Sequence, residues 1–254
     1  MIEQDLAYIR EYFSGIDFQE GSHTYTWRNR PIKESVSSVI KNFCEPFQAE
    51  TVALQMCSQN KKLATELVGQ WKDTAAQACH KGTDIHLFAE QYFYNKNIKP
   101  KTAYEAAIIK FYNWLPQHIL PVFSELKMVH QKFLFAGTAD IVLYNTRNNT
   151  YVIADWKTNK DLDKNYKEKK LLSPFQNLLD SPYNKYQLQL SMYQLMLEQC
   201  NLKVSERVLL WLKDNGTIDV RPTKDLTSGL QNTTDDSRRT YSTSTVSIFS
   251  WSAE

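Results

Sequence analysis

Two aspartates and a lysine are the residues of this chain whose types and spacing best suit chemistry: Asp140, Asp155 and Lys157. The β-rich run around residue 155 predicts a strand, on which successive side chains point to opposite faces. Asp155 and Lys157 therefore share one face, and Trp156 points to the other. Residues 146–149 predict a hairpin turn that folds the Asp140 strand back beside the Asp155 strand. Two carboxylates and one ammonium are then expected to meet at one edge of a sheet.

Carboxylate oxygens in such an arrangement are hard ligands that suit Mg²⁺ or Mn²⁺. Ions of this kind neutralise the charge of a phosphate and generate a hydroxide nucleophile for in-line displacement. A lysine beside the ion can hold the attacking water and offset the charge that develops at phosphorus. An Asp-x-Lys triplet alone is weak evidence, however, and the alternative is an edge-strand salt bridge without a catalytic role.

Two helical segments add polar pairs to this set. Residues 84–94 predict a helical run that begins at the Gly-Thr dipeptide before it, and places His86 and Glu90 one turn apart on the same face. An imidazole there could be a third metal ligand; the alternative is a hydrogen-bonded core or surface histidine. Later in the chain, Gln189 and Tyr193 lie at i and i+4 of an otherwise apolar helix. The alternative for that pair is core packing with buried hydrogen bonds.

The elements that must position these residues follow from the hydrophobic pattern. Amphipathic spacing predicts a helix over 5–14, and strong helix formers predict a mostly helical region from about 47 to 118. Short β-branched and aromatic runs then predict strands, at 125–130, 132–136, 139–144 and 151–154. The order is completed by a helix and a strand pair around an Asp-Asn-Gly turn: 183–199, then 208–212 and 217–220.

This order indicates one domain over residues 1–225, with a helical part over about 1–120 and a catalytic sheet and helix over about 121–225. Residues 226–254 are rich in Ser and Thr. Because so polar a segment buries too little apolar surface to offset the entropy of ordering, we expect it to form a flexible tail.

Composition excludes several classes of protein. With 42% hydrophobic and 23% charged residues the chain is ordinary for a globular protein, and no apolar run approaches the ~20 residues of a membrane-spanning helix. The net charge of +2 excludes a histone-like polycation, so a nucleic acid would have to meet a local basic face. Four scattered cysteines without a CxxC pair indicate free thiols, and the acidic first residues do not predict a secretory leader. We therefore expect a cytoplasmic protein that is not secreted.

Four short motifs carry a resemblance to a known family. In chain order they are Gly82-Thr83-x-x-His86, Gly137-x-x-Asp140, Asp155-x-Lys157 and Gln189-x-x-x-Tyr193. Together they resemble the RecB-like branch of the PD-(D/E)XK nuclease superfamily, which includes phage and viral exonucleases, over roughly residues 20 to 215. The resemblance implies an α/β fold with a restriction-endonuclease-like core, in which a small mixed β-sheet is flanked by helices, here after a helical N-terminal half.

The resemblance also implies roles for individual residues. One or two Mg²⁺ or Mn²⁺ ions would be held by His86, Asp140, Asp155 and the backbone carbonyl of Trp156. Lys157 would be the catalytic lysine, and Gln189 would orient that lysine or the scissile phosphate. Tyr193 would support the same region. Glu90 would lie next to the metal ligands without binding the metal itself. No iron–sulfur cluster is expected, because the cysteines do not form the C-terminal cluster of the relatives that carry one.

The function implied is a divalent-metal-dependent DNA exonuclease in recombination, repair, or viral or phage genome processing. Two alternatives remain: a structure-specific or restriction-like endonuclease on the same core, and a non-catalytic DNA-binding module. The expected substrate is single- or double-stranded DNA with free ends, and a recombination or replication protein is a candidate partner. For a phage or virus, the location would be the host cell.

A lysine-rich stretch follows the catalytic strand and supplies candidate DNA contacts, which are Lys160, Lys164, Lys167, Lys169, Lys170 and Tyr166. Lysines there could track phosphates towards the metal. Tyr166 and Trp156 could stack on unpaired bases. The alternative is a solvated loop, because Asp161, Asp163 and Glu168 are interleaved with the lysines.

Overall fold

The computed structural model describes residues 2–22 and 24–232. The helices are α1 (Ile2–Tyr12), α2 (Val36–Lys41), α3 (Ala49–Met56), α4 (Lys61–Tyr94), α5 (Ala103–Trp114) and α6 (Pro182–Glu198). The strands are β1 (Ile16–Gln19), β2 (Thr24–Trp27), β3 (Arg30–Ile32), β4 (Glu34–Ser35), β5 (Ile119–His130), β6 (Phe135–Asn145), β7 (Thr150–Lys157), β8 (Val204–Leu212) and β9 (Ile218–Pro222). The mixed α/β class and the helical region before residue 118 are confirmed.

The larger of two sheets is mixed and has six strands. Its order is β4-β6-β7-β8-β9. Strand β6 pairs with β4 and β7 along one of its edges and with β5 along the other. The β7–β8 pair is parallel, and its crossover contains α6. The smaller sheet is an antiparallel meander of β1, β2 and β3. The sheet thus places β7 at its centre, between β6 and β8.

Strand β7 is buried on both faces and separates the two main hydrophobic clusters. Ile153 and its neighbours on one face pack in the cluster that contains α6, whereas Trp156 and Ala154 pack with α4 and α5 on the other. Helix α6 is capped at its N-terminus by Ser181, whose side chain accepts a hydrogen bond from the backbone N–H of Asn184 in the first turn. This packing fixes the strand that carries the Asp-x-Lys triplet.

The predicted hairpin between β6 and β7 is confirmed. Asn145 pairs with Thr150, and Asn149 adopts a left-handed φ of 56° in the turn. Pairing continues to Ile141 opposite Ala154. Asp140 and Asp155, the next residue on each strand, therefore lie side by side.

Several predicted boundaries were wrong, and two of the differences involve the motifs. The runs 132–136 and 139–144 belong in part to one strand, β6, which passes through Gly137 without a break. Helix α4 begins at Lys61, so the motif 82–86 lies inside the helix rather than at its start. The helix formers before Gly82 outweigh the helix penalty of about 1 kcal/mol for one glycine, whose missing Cβ faces open space.

The segment after residue 225 contacts the body of the protein at its start. Leu226 packs against the cluster that contains α6, and Leu230 is buried in it. Residues 233–254, the rest of the predicted tail, lie outside the described residues, and the proposed domain boundary stays a prediction. Within residues 2–22 and 24–232, every helix is too short or too polar to cross a membrane.

Gly137 is required by packing, and we expect Gly137→Ala to lower the free energy of unfolding by about 1–3 kcal/mol. A Cβ there would lie 2.7 Å from Cε1 of Tyr193 and 2.8 Å from Cγ2 of Val36, and both side chains are buried. Gly82→Ala is the matched control, because it meets open space within α4 and should stabilise by about 0.5–1 kcal/mol. Urea denaturation measures both; equal stability of wild type and Gly137→Ala would contradict this packing argument.

Candidate active site

The two aspartates of the predicted centre lie on neighbouring strands and are both buried. Asp140 is 6% exposed and Asp155 is inaccessible. An Oδ2 atom of Asp140 accepts a hydrogen bond of 2.8 Å from the backbone N–H of Trp156. That bond ties the Asp140 side chain to the backbone between Asp155 and Lys157.

Lys157 and Asp155 form an ion pair on the α6 side of β7, as strand alternation predicts. The Lys157 ammonium also lies 4.4 Å from the centre of the Tyr186 ring on α6. From the same helix, Gln189 donates from Nε2 to Asp155 Oδ1 at 3.4 Å and to the Tyr193 hydroxyl at 2.9 Å. Helix α6 therefore fixes both charges of the triplet.

Helix α4 brings a histidine to the same oxygen of Asp140 that accepts from Trp156. His86 Nδ1 lies 3.4 Å from Asp140 Oδ2 and 3.7 Å from Glu125 Oε1. One ligand atom from each of these three residues lies within 4.8 Å of the other two. An imidazole nitrogen and two carboxylate oxygens form a donor set that fits a divalent cation such as Mg²⁺ or Mn²⁺.

Glu125 is the member of this group that the sequence analysis missed. On β5, Ser124 pairs with Ile141 and Leu126 with Ala139, so Glu125 lies across from Asp140. Its φ of 50° is a strained conformation for a residue other than glycine, and such strain clusters at functional sites. The only sequence signal was an acidic residue at the start of the predicted strand 125–130.

Burial and mutual attraction set the charges of the centre. Burial disfavours the charged imidazole, but Asp140 and then Glu125 outweigh it and raise the pKa of His86 to about 11. Burial, opposed by His86, raises the pKa of Glu125 to about 7, and burial with repulsion by Asp140 raises that of Asp155 to about 6. A proton on His86 thus compensates the acids, and a metal ion would take its place, since ligands bind metals deprotonated.

Asp140 and Lys157 are both charged at neutral pH. Although burial favours the neutral acid, His86 and then Lys157 hold the pKa of Asp140 below its usual range. Burial opposes the Lys157 ammonium, but Asp155 and Asp140 overcome this and raise the pKa of Lys157. Lys157 is therefore cationic at neutral pH.

The remaining predicted site residues lie around this group. Asp155 stands next to the three donors, with its oxygens on Lys157 and Gln189. Glu90 is half-buried one turn after His86, and its charge contributes to the raised pKa of Glu125. Neither residue belongs to the three-donor group itself.

The predicted DNA-contact residues are not bonded to the charged groups of the centre. Within the described part of the chain, no hydrogen bond or ion pair joins the six residues of the lysine-rich stretch to Asp140, Asp155 or Lys157. Lys169 pairs instead with Glu45 at 3.0 Å. Base stacking on Trp156 was a wrong prediction, because its ring is 1% exposed and packs edge-on against Phe111.

Comparison with protein families shows which superfamily the chain belongs to. A model described as the PD-(D/E)XK nuclease superfamily matches residues 52–241, a range that contains every donor and the Asp-x-Lys triplet. The chain belongs to this superfamily. Membership implies a metal-dependent nuclease, that is, a phosphodiester hydrolase that acts on DNA. A search of curated proteins gave no significant match.

We expect Asp140→Asn and Glu125→Gln each to weaken Mn²⁺ binding by about tenfold or more, because each replaces a charged oxygen donor by a neutral amide of equal size. Isothermal titration of Mn²⁺ into the three proteins measures this. Asp84→Asn is the control, since Asp84 is an exposed acid on the same helix as His86. Equal affinities of wild type and both donor variants would contradict the assignment.

Proposed function

We propose that this chain is a RecB-like DNA exonuclease that acts in recombination, repair, or viral or phage genome processing. The observation that carries the proposal is the convergence of His86 from α4, Asp140 from β6 and the Asp155–Lys157 pair from β7 at one centre. These residues come from three of the four motifs of the RecB-like resemblance. Of the fourth motif, on α6, Gln189 donates to Asp155 and also to the Tyr193 hydroxyl.

His86, Glu125 and Asp140 are the residues that we propose to hold Mg²⁺ or Mn²⁺, with Asp155 beside them. When bound, such an ion supplies Lewis-acid stabilisation of phosphate charge and a nucleophile at neutral pH. The protein fixes this donor set before binding: the Trp156 N–H orients Asp140, and the β5–β6 pairing places Glu125 opposite.

Lys157 supplies the positive charge on the other side of Asp155. Because its pKa is raised by the neighbouring carboxylates, it keeps its proton and can donate hydrogen bonds to a phosphate oxygen or hold the attacking water. Gln189 acts as a positioning residue, since it donates to Asp155 and to the Tyr193 hydroxyl. Tyr193 is in turn seated against Gly137 of β6.

Exonuclease and endonuclease activity require the same centre, and substrate topology separates them. We expect end-labelled linear DNA to be degraded with Mg²⁺ or Mn²⁺ and to stay intact with EDTA, while a covalently closed circle resists. Gel electrophoresis of both substrates measures the outcome. Nicking of the circle at the rate of linear digestion would show an endonuclease, and intact DNA of both forms would leave only the binding-module alternative.

We expect Lys157→Met to lower kcat by about 10²–10³-fold, the usual effect of removing one group that stabilises transition-state charge. The double variant Asp155→Asn/Lys157→Met should be equally inactive and leaves no unpaired buried charge. Lys203→Gln is the matched control, because Lys203 lies exposed at the far end of the β7–β8 pair. Circular dichroism checks folding; a folded Lys157→Met variant with wild-type kcat would contradict the catalytic role.

A further inference from the structure

A cleft of about 630 Å³ lies beside the active site, between α2, the segment that follows α2, and the start of α6. This volume lies within the range of about 300–1,000 Å³ typical of ligand pockets in proteins. Its walls include Ile40, Lys41, Phe47, Lys185, Tyr186 and Gln189. His86, Glu125 and Asp140 do not line it, so the cleft is adjacent to the proposed metal donors but separate from them.

The cleft is continuous with the active site through two residues of α6. Gln189 lines the cleft and donates to Asp155 at 3.4 Å. Tyr186 also lines it, and its ring lies 4.4 Å from the Lys157 ammonium. The Tyr186 hydroxyl is held by Asn159 Oδ1 at 2.9 Å, which fixes the ring. A strand whose phosphate meets Lys157 would therefore continue into the cleft.

Phe47 gives the cleft an exposed aromatic ring. Its side chain is 69% exposed on the non-helical segment between α2 and α3, although a phenyl ring is usually buried. The ring contacts Trp71 of α4 at a centroid distance of 5.9 Å, so one side of it is supported. Aromatic rings of this kind are stacking platforms for unpaired bases.

Lys41 gives the cleft a cation that is not neutralised. Among the described residues, no acidic side chain pairs with Lys41, whose side chain is exposed. The other charges of the walls have partners: Lys185 pairs with Asp180, and Glu45 with Lys169. Lys41 also lines a neighbouring, more polar depression that reaches Gly137 and Tyr193. A phosphate in the cleft would meet this ammonium.

We propose that this cleft binds the single DNA strand next to the scissile phosphate, with a base stacked on Phe47 and a phosphate on Lys41. The proposal rests on the proposed nuclease function and assigns its substrate a single-stranded segment at this position. The bases of a duplex are already stacked on each other and have no free face for Phe47. A cation and an aromatic ring along one groove are the combination with which proteins hold unpaired strands.

The test is the fluorescence anisotropy of a labelled oligo(dT) strand and of a labelled duplex of equal length, with Ca²⁺ replacing Mg²⁺ and strand integrity checked on a gel. Phe47→Ala should weaken binding of the single strand by about 5- to 150-fold, the range for loss of one base–aromatic stack. The same variant should change binding of the duplex by less than about twofold. Phe47→Trp keeps an aromatic face, so it should bind the single strand as tightly as the wild-type protein does.

Three more variants complete the test. Lys41→Gln should flatten the slope of log K against log salt by about 0.7 for the single strand, the effect of one lost phosphate contact. Trp114→Ala is the matched control, because Trp114 is 77% exposed but lines a different pocket, with Gly216 and Ile218. Phe47→Leu keeps apolar contact with Trp71 without a π face, so it replaces Phe47→Ala if that variant does not fold.

Unchanged single-strand affinity in folded Phe47→Ala or Phe47→Leu overturns the proposal, as does an equal loss of duplex affinity. Failure of the proposed function gives a different result. If the wild-type protein binds the strand through Phe47 but cleaves no DNA with Mg²⁺ or Mn²⁺, the nuclease assignment fails and the binding site stands. If it cleaves DNA while both Phe47 variants keep wild-type affinity, only the cleft assignment fails.

Discussion

Three carboxylates held close together, Asp140 and Asp155 buried and Glu125 half-buried, are the constraint on which the rest of this structure depends. Glu125, Asp140 and Asp155 repel one another, and burial strengthens that repulsion because the local dielectric constant is low. Two cations compensate them: His86 lies between Glu125 and Asp140, and Lys157 pairs with Asp155. Replacing a buried ion pair by well-packed apolar residues is often neutral or stabilising, by about 1–4 kcal/mol, so the chain retains this group without a net gain in stability from it. Its excess of negative charge makes it a receptor for a divalent ion.

The fold holds these charges on rigid elements rather than on loops. Strand β7 is buried on both faces, and the hairpin to β6 fixes Asp140 against it. Helix α6 then reaches Asp155 through Gln189, while α4 carries His86 from the other direction. A site assembled from packed strands and helices keeps its geometry without a ligand, which is the condition for electrostatic stabilisation of a transition state.

Local chemistry explains which parts of this arrangement the sequence could predict. Strand alternation placed Asp155 and Lys157 on one face, and turn residues placed the hairpin, because both depend on neighbouring residues alone. Glu125 could not be found in this way, since its position follows from the long-range register of β5 on β6 and from a left-handed backbone. Alternation also predicted that Trp156 points away from Asp155. Its burial against α5 depends on tertiary packing, which the local sequence does not show. The local sequence therefore could not show that Trp156 is unable to stack on bases.

The density of lysines in a sequence does not show which of them the fold leaves without a carboxylate partner. The lysine-rich stretch after β7 is interleaved with acids, and Lys169 within it is neutralised by Glu45 from a distant segment. Lys41 is a single lysine far upstream, yet the fold brings it to a cleft that opens beside Gln189. What matters for a phosphate is a cation that no carboxylate has already paired, at a place continuous with the reacting centre. Only the folded chain shows both conditions, because both depend on which distant residues become neighbours.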